Sequence, residues 1–97
     1  MPTGRRGAPS IVAREIAAVL SRAMVDTRRT QSEIADAVGV SQSQLSKMLR
    51  GERQFDLDQL YAICGALGLK TRDVIREGEE VASARERSRA QRGQNGG

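Results

Sequence analysis

The sequence predicts an all-α fold, a compact bundle of five helices, and three observations predict it. A hydroxyl or carboxyl residue is followed three positions later by Glu or Gln at Thr30 and Glu33, at Ser41 and Gln44, and at Asp56 and Gln59, the pattern of a reciprocally capped helix start. Apolar residues recur at helical spacing after each of these starts. Gly39 and Gly68 stand where the first and third of these capped runs must end, and glycine readily takes the left-handed conformation of a helix terminus.

The elements follow in order. Met1 to Pro9 is small, prolyl and basic, with no large apolar anchor after Met1, and reads as a flexible arm. Ser10 caps a first helix from Ile11 to about Thr27, with Ile16, Val19, Leu20, Ala23 and Met24 as its inward stripe. Thr30 opens a second helix with Ile34, Ala35 and Val38 inward, and the turn Val38-Gly39-Val40-Ser41 leads into a third with Leu45, Met48 and Leu49 inward. After the polar break Gly51 to Gln54, a fourth helix runs from Leu57 to Ala66, with Leu57, Leu60, Tyr61, Cys64 and Leu67 in or near its stripe. Thr71 starts a fifth, in which Val74 and Ile75 pack back onto the bundle. From Glu77 onward Val81 is the only large apolar side chain, so the tail reads as a frayed helix or disordered. The expected organisation is an arm over 1–9, a domain over 10–76 and a charged tail over 77–97.

At 97 residues the chain is one domain at most, and a core of this size covers a smaller share of the chain than a larger domain would. Lysine and arginine number 16 against 12 acids, for a net charge of +4 and a pI near 10.2. The excess is uneven. Arg5, Arg6, Arg14, Arg22, Arg28 and Arg29 face only Glu15 and Asp26 in the first 29 residues, whereas residues 30 to 75 are nearly neutral. A basic excess fits nucleic acid, and it also fits a plain soluble protein. Only Lys47 and Lys70 are lysines, and the planar fork of arginine suits phosphates and guanine edges, though GC-rich coding explains the bias equally well.

Several chemistries are excluded. Histidine is absent and Cys64 is alone, which removes an intramolecular disulfide, a histidine triad and a conventional zinc site. No acid and base pair, metal cluster or Gly-rich phosphate loop stands out, so the expectation is no enzyme, no catalytic residue, no metal and no cofactor. Single-stranded nucleic acid is disfavoured because Phe55 and Tyr61, the only aromatics, look committed to structure. No apolar run is long enough for a membrane span or a signal peptide, and the expected location is cytoplasmic.

The third helix carries the sharpest functional signal. Opposite its apolar stripe lie Ser43, Lys47 and Arg50, flanked by Gln44 and Ser46 and preceded by Gln42, an outward face that is polar, amide-rich and cationic. Singly these are ordinary capping and surface residues. Together, on one side of one capped helix, they read as a contact surface. Arg28 and Arg29 read either as phosphate contacts or as a solvated loop, and Arg5 and Arg6 either as a DNA-following arm or as a plain terminus.

From Arg28 to Ile75 the chain resembles the Cro and lambda-repressor type of helix-turn-helix domain, the group to which phage immunity repressors belong. The resemblance rests on Thr30-Gln31, Ile34-Ala35, Val38-Gly39-Val40-Ser41, Leu45-Ser46, Arg50-Gly51-Glu52-Arg53, Leu57-Asp58-Gln59-Leu60 and Ala66-Leu67-Gly68-Leu69. It departs at Phe55, where many relatives have proline, and at Gln44 and Lys47. What it implies is a recognition helix in the major groove of duplex DNA. Gln31 would contact a phosphate and brace Gln42, Gln42 and Ser43 would read base edges, and Lys47 and Arg50 would contact a base or the backbone. The expected function is a sequence-specific regulator of transcription, a repressor of phage or bacterial origin. The alternative is an antitoxin or adaptor whose tail binds a protein. Expected partners are an operator duplex, a second copy assembled with or without DNA, and a protein at the tail.

Overall fold

The computed structural model describes residues 9–95, with side chains through residue 90. Among the described residues five helices follow one another: α1 (Ile11–Asp26), α2 (Gln31–Val38), α3 (Gln42–Leu49), α4 (Leu57–Leu67) and α5 (Thr71–Asn95). Among the described residues there is no strand.

Local chemistry sets the helix starts. The Ser10 hydroxyl accepts from the Ala13 N–H at 3.1 Å. At α2 the Thr30 hydroxyl accepts from the Glu33 N–H at 3.1 Å, and the Thr30 N–H donates to Glu33 Oε1 at 2.8 Å. The same reciprocal pair forms between Ser41 and Gln44 at α3, and between Asp56 and Gln59 at α4. Each cap satisfies amides that have no partner inside the helix, worth about 1 kcal/mol per cap. Gly39 ends α2 with φ +85° and Gly68 ends α4 with φ +75°, conformations that cost L residues with a β-carbon energy.

The helices enclose one core. Leu20 of α1, Ile34 of α2, Leu45 and Met48 of α3, and Ile63 and Cys64 of α4 are fully buried, and Val74 and Ala82 of α5 close it. The α4 stripe differs from the sequence expectation. Leu60, Ile63 and Cys64 face inward, while Leu57 and Tyr61 are 70% and 72% exposed. Tyr61 follows Leu60 by one residue, about 100° around the helix, and so falls off the stripe. Ile63, which lies outside the stripe expected from sequence, takes the inward place instead. Phe55 packs on the core as expected, but Tyr61 does not.

The tail also differs from the plainer of its two readings. α5 is a single helix that runs through residue 77 without a break. It packs on α1 through small residues: Gly78 and Ala82 are buried, and a β-carbon placed on Gly78 would lie 2.6 Å from Ile16 Cγ1 and 3.2 Å from the Ile16 backbone nitrogen. Two ion pairs flank this crossing, Arg22 with Glu77 at 3.2 Å and Arg85 with Glu15 at 2.8 Å. Close backbone approach replaces the large apolar side chains whose absence suggested fraying. From Ser83 to Ala90 every residue is exposed.

Candidate nucleic-acid interface

Two helices joined by three residues, Gly39, Val40 and Ser41, build the candidate surface. The Val38 to Ser41 turn is held by Gly39 N–H and Val40 N–H, which both donate to the Ala35 carbonyl, at 2.8 and 3.1 Å. Ala35 is itself buried, 2% exposed, and packs in the core beneath the turn. With Leu45, Met48 and Leu49 buried, the opposite side of α3 has to face outward. Gln42, Ser43, Lys47 and Arg50 are exposed, and Ser46 is half-buried.

Gln31, Gln42, Ser43, Ser46 and Arg50 line one shallow depression of about 330 Å³, so the start of α2 and the outer face of α3 form a continuous polar surface. Amide and hydroxyl groups there both donate and accept hydrogen bonds, as base edges and phosphates require.

The remaining residues expected at the site are placed elsewhere or otherwise engaged. Gln44 turns back, and its Oε1 accepts from the Ser41 N–H at 3.0 Å, so its carbonyl serves the helix cap. Arg29 sends Nη1 to the Ala66 carbonyl at 3.2 Å, setting a cation at the C-terminal turn of α4 where unpaired carbonyls attract it. Arg28 is exposed on the loop before α2. Arg5 and Arg6 lie outside the described residues.

Two contributors were missed from the sequence. Glu52 binds Arg50 through two hydrogen bonds, Nε to Oε2 at 2.9 Å and Nη2 to Oε1 at 3.3 Å. The hydrogen bond from Arg50 holds the Glu52 carboxyl below its ordinary value, with help from the Arg50 and Lys47 charges, and raises Arg50 in turn. Opposite charges two residues apart across Gly51 were the available signal. Ser21 of α1 donates its hydroxyl to the Leu49 carbonyl at 2.6 Å, tying α3 by its last turn to the scaffold. A lone serine 28 residues away in sequence carried no signal for that tie.

Among the described residues no helix is long and apolar enough to cross a membrane, and no group of three or more acidic or cysteine side chains is placed to hold a metal ion.

Comparison with known proteins bears on the motif and the fold. Residues 28–74 match the model of the helix-turn-helix family. No curated protein gives a significant match. Among solved structures, a crystal structure of the clp gene regulator ClgR from Corynebacterium glutamicum is similar with a TM-score of 0.71 at 26% identity, over 84% of this chain and 87% of that one. A second ClgR crystal structure from C. glutamicum is similar with a TM-score of 0.66 at 29% identity, over 75% and 95% of the two chains. That coverage exceeds residues 28–74, so the likeness takes in helices outside the motif. Residues 28–74 thus form a helix-turn-helix domain, and the match and the ClgR likeness together support a DNA-binding regulator of transcription.

Proposed function

We propose that the protein is a sequence-specific repressor that places α3 in the major groove of duplex DNA. The observation that carries this reading is the polar depression joining the start of α2 to the outer face of α3, lined by Gln31, Gln42, Ser43, Ser46 and Arg50. Gln42 and Ser43, exposed in the first turn of α3, are the base readers: an amide pairs bidentately with adenine, and a hydroxyl accepts several partners. Lys47, Arg28 and the arm residues Arg5 and Arg6 neutralise phosphates and set register. Arg29 and Gln44 act indirectly, by holding the α4 end and the α3 start.

Selection from a random duplex pool, followed by binding measured against salt, tests this. With about five phosphates neutralised per protomer, log affinity falls against log salt with a slope of about −4 to −5. Gln42→Ala lowers discrimination between selected and random duplexes, whereas Arg5→Ala with Arg6→Ala weakens both and flattens the slope. A slope near zero, or equal affinity for every duplex, refutes the proposal.

The exposed run from Ser83 to Ala90 favours a second reading, in which this part of α5 binds a protein, either a second copy or another chain. Because Gly78, Ala82 and Arg85 engage α1, the informative truncation removes residues after Arg87 and leaves the bundle whole. Loss of self-association or of a co-purifying partner, with duplex affinity for a single half-site retained, supports it. An unchanged sedimentation coefficient per chain and no lost partner refute it.

A further inference from the structure

Arg50 is the residue of the polar depression whose side chain is most fully engaged within the chain. Nε and Nη2 donate to the two Glu52 carboxylate oxygens at 2.9 and 3.3 Å, and Nη1 donates to Ser46 Oγ at 2.9 Å. A guanidinium has five N–H donors, so three are used and one remains on each Nη nitrogen. Glu52 is itself fixed, because its backbone N–H donates to the Lys47 carbonyl at 3.0 Å across the turn that Gly51 makes with φ +76°.

This arrangement has an electrostatic consequence. Arg50 and Glu52 together carry no net charge, and a phosphate approaching Arg50 meets the Glu52 carboxylate beside it. Phosphate contacts gain affinity from cations that release counterions, and a neutral pair releases none. An uncharged edge with two adjacent acceptors is the better fit for the two remaining N–H groups, and in the major groove guanine presents such an edge through N7 and O6. Arg50 also shares its depression with Gln42 and Ser43 rather than standing at a distance from them.

We propose that Glu52 is a specificity-determining positioning residue, which with Ser46 holds Arg50 as a forked donor for a guanine edge and withdraws it from phosphate binding. The inference rests on the duplex-binding reading above. Lys47 supplies the net positive charge left at this end of α3.

The test uses the full chain and duplexes selected from a random pool by the parent protein. Circular dichroism melting establishes that Glu52→Gln and Arg50→Lys remain folded, as exposed positions should. The parent selects guanine at one position in each half-site. In both variants, preference for guanine at that position falls roughly 5- to 150-fold while the other positions keep theirs. Glu52→Gln, with Arg50 now uncompensated, also binds random duplex more tightly, and its salt slope steepens by about 0.9. The inference is overturned if Glu52→Gln strengthens selected and random duplexes in equal ratio with every base preference intact. It is likewise overturned if Arg50→Lys changes no single base preference. A parent that selects no sequence at all refutes the duplex-reading function itself, a failure distinct from either of these.

Discussion

Replacing Gly78 by alanine tests whether α5 is seated on α1 as closely as the structure requires. In a helix interior, glycine to alanine gains about 1 kcal/mol from backbone entropy. At Gly78 the new β-carbon would stand 2.6 Å from Ile16 Cγ1 and 3.2 Å from the Ile16 backbone nitrogen, distances well inside the usual carbon contact. Ile16 is buried, 6% exposed, so either its side chain shifts within the core or α1 and α5 separate. Overpacking of this kind costs about 1–3 kcal/mol, and a backbone atom among those met argues for the upper half of that range. The expected net change is a loss of about 1–2 kcal/mol, or roughly 5–15 °C in Tm for a domain of this size. Gly65 supplies the control, because it is exposed on α4 and a β-carbon added there would have nothing within 4 Å, so Gly65→Ala should stabilise by about 0.5–1 kcal/mol. Urea denaturation followed by circular dichroism measures both. Opposite signs support the close crossing, and its cost should shrink in an Ile16→Ala background where Cγ1 is gone. If Gly78→Ala stabilises as Gly65→Ala does, the seating of α5 on α1 is wrong.

Other consequences can be measured directly. Ser21→Ala removes the hydroxyl that meets the Leu49 carbonyl and should cost about 1 kcal/mol in urea denaturation; no loss would mean that water replaces the bond freely. Cys64 is fully buried, and burial pushes its thiol up, with the Thr71 side chain opposing only part of that shift; a thiol reagent at neutral pH should label it only at the rate of unfolding, and immediate labelling would refute its burial. Glu52 is held below its ordinary value of 4.5, so the stabilisation from its pair with Arg50 is complete above that pH and is lost as pH falls through the depressed value. Carboxyl chemical shifts followed through acid should show Glu52 titrating below the ordinary value of 4.5, and Arg50→Gln should move it back toward that value.

Much of the fold is written in short-range chemistry. Thr30 with Glu33, Ser41 with Gln44 and Asp56 with Gln59 act over three residues, so the helix starts were legible from the chain alone, as were Gly39 and Gly68 at the ends. The outward face of α3 was legible for the same reason, since burying Leu45, Met48 and Leu49 leaves Gln42, Ser43, Lys47 and Arg50 no other direction. Tertiary structure decided what depends on a distant partner. The bundle turned Tyr61 outward and Ile63 inward, because only the placement of the other helices says which side of α4 is covered. It made a seam from Gly78 and Ala82, residues that look uninformative in sequence because their value lies in what they omit. It also joined Ser21 to Leu49 and Arg29 to Ala66, contacts 28 and 37 residues apart. Local hydrogen bonds and periodicity therefore determine the helices and the face α3 presents, while packing between distant segments determines how firmly that face is held and which of its cations remain available.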